Sequence, residues 1–542
     1  MDEPVSEPAP ARVDSATDLF LAETSPLLTA LPEFLADQRW FAGKTKSISQ
    51  IRMDEALPIA TTTAGEFWLA IIEVRFDDQI GQRYAVPLSI KSSVENAPSR
   101  ILTFVEADGS DPQAVFEASS DPEFWAEFLR SALSNVESGS DARPALRFLK
   151  TDSDLSWSAT SHITVDFPET EQSNTSVILD GRYFLKMFRR PSAETNPDVE
   201  VASFLTVDAG FTHSPCVTGH VNFLPASGPP ECLALISGLV PAESDAWTFT
   251  LEQNDGFWQR LFLSQKMLEV TPPTVDWSIA SCGSPLPDDA ELIGDFLDDA
   301  KLLGRRTAEL HIALSSDPDC DAFRPEPATV ESIQCLLATI RVEVESTRSM
   351  LELADLADPV SPDLPGRIQA AALAQLTEFE AAASDIACRQ IRVHGDYHLG
   401  QILRTEDDFV IIDFEGEPDR LIVERREKRS ALKDVAGLVR SLHYAACTGA
   451  AKLTPALDDR SIPDNVTAWQ NFWFGCSARV FLEGYLETAT GQVFLPDSPA
   501  QTQQLLDLYL LEKVLYELRY ELNNRPDWVA IPLAGLKAVL NL

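Results

Sequence analysis

The densest group of residues able to do chemistry lies between positions 393 and 418. It reads Val393-His-Gly-Asp-Tyr-His-Leu-Gly-Gln-Ile-Leu403 and, after a short acidic stretch, Phe409-Val-Ile-Ile-Asp-Phe-Glu-Gly-Glu-Pro418. The acidic residues 406–408 between two apolar runs predict a hairpin, which would bring Asp396 and Gln401 close to Asp413. One carboxylate can then accept a proton from an acceptor hydroxyl, while a second carboxylate and an oxygen donor bind Mg²⁺ on nucleotide phosphates. The group therefore predicts phosphoryl transfer.

A purely structural role is the alternative for each of these residues. His394 and Asp396 would then be hydrogen-bonded turn residues, and Asp413 would end a buried strand. For any one residue this is the more common situation. The combination of two carboxylates, a carboxamide and a connecting hairpin favours chemistry for the whole set.

Lys186 is the candidate contact for a nucleotide. It lies in a predicted strand, Tyr183-Phe-Leu-Lys-Met-Phe188, where it shares a face with two phenylalanines, so its ammonium needs an anion. Glu200, in the first turn of the next predicted helix, is the expected structural partner, and the α- and β-phosphates are the expected functional one. A lysine that extends to solvent along its aliphatic stem is the common alternative.

The stretch Gln172-Ser-Asn-Thr-Ser176 precedes this strand, where kinases place a glycine-rich phosphate loop. It contains no glycine, so hydroxyl and backbone donors would have to bind the phosphates. The candidate donors are Ser173, Asn174, Thr175 and Ser176.

The elements that must position these residues change in type along the chain. Alternating apolar residues predict strands at 66–76 and 84–90, and Asp180-Gly181 predicts a type I′ hairpin turn before the Lys186 strand. Asn196 and Pro197 predict the start of a helix. Beyond residue 245 the pattern is mostly helical and is interrupted by a β-rich patch at 391–415. The predicted helices are 297–315, 328–356, 366–388, 432–449, 465–488 and 501–523.

Composition limits the classes of partner. The 542 residues include 84 acidic and 43 basic side chains, a formal net charge of −41, which disfavours nucleic acids and anionic membrane surfaces. The eight cysteines form no Cys-x-x-Cys pair, and scattered thiols in a chain of this size predict a reducing compartment. The first residues are acidic and proline-rich, unlike a signal peptide, and no apolar run approaches the ~20 residues that span a bilayer. We therefore expect a cytoplasmic protein with a disordered tail over residues 1–18.

These motifs, in this order, resemble the aminoglycoside-phosphotransferase branch of the protein-kinase-like fold, and within it the bacterial maltokinases. The matching segments run from about 38 to 535 and cover nearly the whole chain. Besides the motifs above, they are Gln38-Arg-Trp-Phe-Ala-Gly-Lys44, Leu185-Lys-Met-Phe-Arg-Arg190, Asn196-Pro-Asp-Val-Glu200, Lys428-Arg-Ser-Ala-Leu-Lys-Asp-Val-Ala-Gly-Leu-Val-Arg-Ser441 and Leu515-Tyr-Glu-Leu-Arg-Tyr-Glu-Leu-Asn-Asn-Arg-Pro-Asp-Trp528.

The resemblance implies a bilobal α+β fold with an N-terminal cap. After the tail, the expected divisions are a cap over 19–150, a β-rich nucleotide-binding lobe over 151–240 and a helical lobe over 241–542. It implies transfer of the ATP γ-phosphate to the anomeric hydroxyl of maltose, giving maltose 1-phosphate for glycogen or α-glucan synthesis. A physical partnership with a trehalose synthase is left open.

Residue roles follow from the same resemblance. Asp396 would be the catalytic base, Gln401 and Asp413 would bind Mg²⁺ with help from Glu415, and Lys186, oriented by Glu200, would contact the ATP phosphates. Residues from Ile236 to Val240 would form an interlobe hinge against adenine. His398, Tyr444, Tyr516 and Tyr520 would line the sugar pocket, although tyrosines spaced along one helix face more often pack in a core.

Two other functions remain open from the sequence. A glucosamine kinase of the same fold shares the His-Gly-Asp-x-His arrangement, but that group carries Asn at the position of Glu417, which favours maltokinase. A catalytically silent kinase-like binding module is the alternative of another class. The presence of Lys186, Glu200, Asp396, Gln401 and Asp413 together argues against it.

Overall fold

The computed structural model describes residues 10–21, 25–44, 46–78, 81–92, 99–108, 111–137, 143–151, 155, 157–168, 174–317, 319–354, 361–382, 388–453 and 465–542. The chain divides into two units. Unit 1 comprises Met1–Ser203 and Pro215–Leu239, and unit 2 comprises Phe204–Ser214 and Val240–Leu542. None of the helices in the described ranges is both long and apolar enough to cross a membrane.

Unit 1 contains two six-stranded sheets. Its elements, in chain order, are β1 (Ala11–Val13), α1 (Asp18–Leu21), α2 (Pro26–Asp37), β2 (Ile48–Thr62), β3 (Gly65–Phe76), β4 (Gly81–Ser92), β5 (Arg100–Glu106), β6 (Gln113–Glu117), α3 (Pro122–Glu137), β7 (Ala145–Lys150), β8 (Val165–Asp166), β9 (Thr175–Leu179), β10 (Tyr183–Met187), α4 (Pro197–Val207), β11 (Val217–Leu224) and β12 (Glu231–Gly238). Helix α4 passes into unit 2 at Phe204.

The first sheet has the strand order β1-β5-β6-β4-β3-β2 and both of its faces are buried. In β3, Phe67, Leu69 and Ile71 pack into a core that includes α3 and the second sheet. The alternate residues Ile72 and Val74 pack on the other face, in a core that includes α2. Because successive side chains of a strand point to opposite faces, a strand buried on both sides must be apolar almost throughout. This explains the continuous apolar run in β3.

The second sheet has the strand order β7-β11-β12-β10-β9-β8. Strand β7 pairs with β11 along its whole length, from Ala145 opposite Leu224 to Lys150 opposite Gly219. The expected cap boundary at residue 150 is therefore too late, because 145–150 belong to the sheet assigned to the nucleotide lobe. The composition of a connecting segment does not reveal which sheet a short strand joins.

The expected disordered tail is also too long. Residues 1–9 lie outside the described ranges, but Ala11–Val13 form a strand that pairs in parallel with Phe104–Glu106 of β5. Val13 is buried, and α1 begins at Asp18. The acidic and proline-rich composition of this segment does not predict a strand. The strand forms because it pairs with β5, which lies far away along the chain.

Local predictions around Lys186 are confirmed. Asp180 and Gly181 have φ values of 52° and 59°, as a type I′ turn requires, and the Arg182 N–H donates to the Leu179 carbonyl at 3.0 Å. Asn196 caps α4, since its side-chain oxygen accepts from the Asp198 N–H at 2.9 Å. The turn and the cap fix the strand and the helix on either side of the lysine.

Unit 2 is mostly helical. Its further elements are β13 (Ser244–Asp245), α5 (Ala246–Leu263), α6 (Lys266–Glu269), α7 (Phe296–Leu314), β14 (Glu326–Pro327), α8 (Val330–Leu353), α9 (Leu364–Ala382), β15 (Arg389–Gln390), β16 (Ile402–Arg404), β17 (Phe409–Ile411), α10 (Ile422–Arg425), α11 (Leu432–Leu453), α12 (Asn465–Ala489), α13 (Pro499–Asn524) and α14 (Ala530–Val539). The six predicted helices correspond to α7, α8, α9, α11, α12 and α13.

Helices α7 and α12 approach each other closely through two glycines. A Cβ on Gly304 would lie 2.0 Å from the Phe481 carbonyl oxygen, and one on Gly484 would lie 2.1 Å from that of Lys301. Neither position can carry a side chain, because the obstacle is backbone. This contact brings His311 of α7 and Tyr485 of α12 together in the interior of unit 2.

Candidate active site

The predicted hairpin is confirmed and forms the centre of the candidate site. Strands β16 and β17 pair in antiparallel register, with Ile402 opposite Ile411, and β13 adds a third strand. The Ile412 N–H donates to the Gln401 carbonyl at 3.0 Å. Gln401, just before β16, and Asp413, just after β17, therefore lie next to each other at the open end of the hairpin, as the sequence predicts.

A buried carboxylate holds the loop that carries Asp396. The Asp434 carboxylate of α11 accepts from the His394 N–H at 2.8 Å and from the Gly395 N–H at 3.0 Å. It also contacts His311 Nε2 at 3.1 Å, and the Nδ1 of the same ring lies 3.0 Å from the Tyr485 hydroxyl. This cluster, Asp434, His311 and Tyr485, fixes the backbone immediately before Asp396.

The contacts of this cluster also determine the charge of Asp434. Burial alone raises the pKa of this carboxyl, but the hydrogen bond and charge of His311 and the Gly395 amide bring the pKa below its usual value. Sequence reasoning missed the cluster. The sequence feature that could have indicated this cluster is the position of Asp434 within the matching segment 428–441.

Two side chains flank the carboxylate of Asp396. Lys513 Nζ of α13 lies 3.6 Å from Oδ1, and His398 Nε2 lies 3.9 Å from Oδ2. His398 Nδ1 accepts from the Gly400 N–H at 3.1 Å, which assigns the ring proton of a neutral histidine to Nε2. Burial lowers the pKa of His398 despite the opposing charge of Asp396. Lys513 is not among the residues predicted from the sequence.

The residues predicted to bind Mg²⁺ also lie close together. Asp413 has a φ of 68°, a strained conformation for a residue other than glycine, and one of its carboxylate oxygens lies within 4.8 Å of one from Glu415. Carboxylate oxygens, and the carboxamide of Gln401, whose backbone is hydrogen-bonded to the residue before Asp413, are the hard donors that Mg²⁺ prefers. The donor set of Asp413, Glu415 and Gln401 thus fits this ion.

A cavity of about 210 Å³ opens beside the same loop. Its wall includes Gly395 and Tyr397, which flank Asp396 in the chain, together with Tyr516 and four cationic and four anionic side chains. The charged residues are Arg420, Lys433, Lys513, Arg519, Glu343, Glu417, Asp419 and Glu512. The cavity has the polar lining expected for a hydroxylated acceptor.

The four residues predicted for the sugar pocket are only partly brought together. Tyr516 lines the cavity and His398 faces Asp396. Tyr444 and Tyr520 do not line it: Tyr444 donates its hydroxyl to Glu521 at 3.3 Å, and Tyr520 is exposed and stacks on Tyr516 with ring centroids 6.4 Å apart. Their contact with a sugar stays a prediction.

In unit 1, Lys186 has an anion partner, as predicted, and Asp198 of α4 is one such partner. Its Nζ donates to Asp198 Oδ2 at 2.8 Å, and both side chains are buried. The expected partner was Glu200, two residues further along the first turn of α4. Both carboxylates lie in the first turn of the helix that begins after the Asn196 cap, and the contact of Glu200 with the lysine stays a prediction.

The remaining predicted nucleotide contacts lie on the second sheet or outside the described ranges. Thr175 and Ser176 are strand residues of β9 rather than loop residues; Ser176 pairs opposite Lys186, and the Thr175 hydroxyl accepts from Arg189 Nε at 2.7 Å. Ser173 lies outside the described ranges, and Asn174 begins one of them. Ile236 is buried in β12, opposite Leu185.

The predicted hinge coincides with a unit boundary. Val240 is the first residue of unit 2 after Leu239, so the chain changes unit at the end of the predicted hinge.

Comparisons with known proteins identify the cap and the fold. Residues 34–121 match the maltokinase N-terminal cap domain. A glucosamine kinase from Streptacidiphilus jiangxiensis is 25% identical over 378 residues, covering 68% of this chain and 72% of that protein. One from Mycolicibacterium smegmatis is 24% identical over 394 residues, covering 71% and 82%.

Solved structures agree with this picture at the level of fold. A glucosamine kinase in complex with glucosamine, ADP and inorganic phosphate has a TM-score of 0.56 at 21% identity, covering 94% of this chain and 98% of that one. A glucosamine kinase in crystal form B has a TM-score of 0.59 at 21% identity, covering 97% of this chain and 100% of that one. The predicted α+β fold with an N-terminal cap domain is therefore confirmed.

Proposed function

We propose that this chain is an ATP-dependent sugar kinase that phosphorylates maltose at its anomeric hydroxyl. The observation that carries the proposal is the hairpin geometry, which places Gln401 beside Asp413 and Glu415 at the end of the loop that presents Asp396. A base, a set of oxygen donors for a cation and a polar cavity then lie within one part of unit 2. Phosphoryl transfer needs this combination.

Asp396 would act on the acceptor. Its carboxylate takes the proton of the attacking hydroxyl while the oxygen–phosphorus bond to the γ-phosphate forms and the bond to the departing ADP oxygen breaks. Gln401, Asp413 and Glu415 would hold Mg²⁺, which supplies charge neutralisation at the phosphates when bound. Lys186, held by Asp198, would contact the ATP phosphates from the second sheet of unit 1.

The charges of the cavity favour a neutral sugar over an amino sugar. Three of its four carboxylates already pair with its cations: Glu343 with Arg519, Glu417 with Lys433 and Arg420, and Glu512 with Arg420. Lys513, one of these four cations, lies next to Asp396. An ammonium group would meet these cations, whereas hydroxyls can both donate to and accept from such a wall. The match of residues 34–121 to the maltokinase cap supports the same choice.

Glucosamine is the second candidate acceptor. The relatives at 24–25% identity are named glucosamine kinases. Asp419, an exposed carboxylate on the cavity wall, has no ion pair with any described residue and could bind an ammonium group. Asp419→Asn would then weaken glucosamine use and leave maltose use nearly unchanged.

A phosphoryl-transfer screen tests the proposal. The protein is incubated with Mg-ATP and maltose, glucosamine, glucose, trehalose or an aminoglycoside, and ADP release is followed. We expect maltose to be consumed, and the phosphorus NMR signal of the product to couple to the anomeric proton. Use of glucosamine but not maltose would refute the acceptor assignment, and transfer to none of these compounds would favour the silent binding module.

A further inference from the structure

Lys513 occupies a special place relative to the proposed base. It lies on α13, half-buried in the cavity wall, with its Nζ 3.6 Å from Oδ1 of Asp396 and 5.2 Å from the ring centre of Tyr516. A cation this close to one carboxylate oxygen attracts that oxygen more strongly than the other. The two oxygens of Asp396 are therefore not equivalent.

The surroundings keep Lys513 charged. Burial lowers the pKa of its ammonium, but the carboxylates of Asp396, Glu517 and Glu417 and the nearby Tyr516 together raise the pKa above its usual value. These four side chains interact with the ammonium directly, and the charge of Lys513 also acts on His398.

The other oxygen of Asp396 faces a neutral group. His398 Nε2 lies 3.9 Å from Oδ2, beyond hydrogen-bond distance, and burial lowers the pKa of this histidine. Its ring therefore leaves Oδ2 without a close cation. One oxygen is paired with a charge, and the other is left available to a substrate.

We propose that Lys513 is a positioning residue, which engages Oδ1 of Asp396 and so leaves Oδ2 as the oxygen that receives the proton of the acceptor hydroxyl. This inference rests on the proposed function. As the bond between the acceptor oxygen and the γ-phosphorus forms and the bond to ADP breaks, the proton moves to Oδ2, while Lys513 keeps its own proton. Without the cation, the carboxylate can rotate about its Cβ–Cγ bond and present either oxygen, so fewer encounters are productive.

Three variants test this role with maltose and Mg-ATP as substrates. Lys513→Met keeps the aliphatic packing and removes the charge, and we expect kcat to fall about 10- to 100-fold with the KM for Mg-ATP unchanged. Lys513→Arg should recover most of that loss. Lys301→Met is the matched control, because Lys301 is a paired helix lysine of the same unit, 2.8 Å from Glu483, and should turn over normally. If Lys513→Met lowers the melting temperature, Lys513→Gln takes its place.

A double-mutant cycle separates positioning from general loss of structure. If Lys513 acts through Asp396, adding Lys513→Met to Asp396→Asn should cost less than twofold further, because the group being positioned has already lost its function. The inference would be overturned if Lys513→Met lowered kcat by the same factor in the wild type and in Asp396→Asn. Normal turnover of Lys513→Met would also overturn it, and both results would leave the kinase activity established. A wild-type protein that transfers phosphate to no sugar would overturn the proposed function and this inference with it.

Discussion

At the scale of single residues, Asp413 combines backbone strain with a candidate role in metal binding. Its φ of 68° lies in the left-handed region, where Asn and Asp are tolerated better than other residues with a Cβ. Strained residues persist where the surrounding structure holds them, and they are common at functional sites. The conformation directs the side chain from the end of β17 toward Glu415.

Because Asn can adopt this backbone conformation, Asp413→Asn tests the role of the negative charge at this position. Asn tolerates the same backbone conformation, so we expect the melting temperature to stay within about 2 °C while turnover is lost and Mg²⁺-dependent nucleotide binding weakens. Thermal melting and nucleotide titration with and without Mg²⁺ measure both effects. The matched control is Asp180→Asn, at another aspartate with positive φ, 52°, where turnover should be normal. Normal turnover of Asp413→Asn would exclude this residue as a metal ligand.

Residue-scale prediction from the sequence succeeded where the neighbours in the chain decide the outcome. The Asn196 cap and the Asp180-Gly181 turn were predicted because each depends on two or three adjacent residues. The ion pair of Lys186 with Asp198 was not predicted, since it depends on the rotation of α4 relative to β10. The contact of Lys513 with Asp396 joins residues distant in sequence and left no local signal.

At the scale of elements, the candidate loop depends on two helices for its shape. Asp434 on α11 receives two backbone N–H groups, and His311 on α7 holds that carboxylate in turn. Gly395 has a φ of 89°, and a Cβ there would lie 3.3 Å from the Cα of Gly416, so the loop also packs against the segment after the hairpin. Positioning of Asp396 is thus a property of packed helices.

Asp434→Asn should therefore damage both stability and turnover. The amide retains one acceptor for two backbone donors and removes a buried charge from His311, so we expect a loss of about 2–4 kcal/mol and a clear fall in kcat. The exposed pair of Asp255 with Lys452, 3.0 Å apart, provides the control, since Asp255→Asn should cost less than about 1 kcal/mol. Denaturant unfolding and initial rates measure the two effects. A variant as stable as the wild type would show that the cluster of Asp434, His311 and Tyr485 contributes nothing to the free energy of unfolding.

The pH dependence of the same variant has a definite sign. Because the pKa of Asp434 is lowered in the folded protein, its carboxylate stabilises the fold fully above the usual carboxyl pKa near 4, and this contribution is lost as the pH falls below that value. The difference in stability between wild type and Asp434→Asn should narrow as the pH falls below about 4. A difference that does not narrow between about pH 5 and pH 3 would contradict the lowered pKa.

Most elements could be predicted from the sequence, but not the pairing of short strands. The long helices and the β16–β17 hairpin were predicted because periodicity and turn residues act locally. Strand β1 was not predicted, and residues 145–150, which the expected divisions place in the cap, pair with β11 in the second sheet. Both are short, and their partners, β5 and β11, lie elsewhere in the chain, so register and pairing are decided by tertiary contacts.

At the scale of the whole molecule, charge is the dominant feature. The 84 acidic and 43 basic side chains leave a formal excess of 41 negative charges, so many carboxylates have no basic partner even if every base is paired. Such an excess destabilises a compact chain through self-repulsion. Favourable pairs such as Arg306 with Asp408, at 2.7 Å, act in the opposite direction. Salt screens both the repulsion between carboxylates and the attraction within ion pairs. The net effect of salt on stability therefore shows which of the two energies is larger.

We expect repulsion to be larger, and stability to rise with salt. The Debye length falls from about 10 Å at 0.1 M to about 3 Å at 1 M, which screens repulsion across the surface while buried pairs such as Lys186 with Asp198 are screened less. The melting temperature should therefore increase by at least about 2 °C, roughly 1 kcal/mol for a unit of this size, between 0.05 and 1 M NaCl. Tetramethylammonium chloride at equal ionic strength is the control: a similar rise indicates screening, and a rise confined to Na⁺ indicates specific ion binding. A melting temperature that falls with added salt would mean that surface ion pairs outweigh the acidic excess.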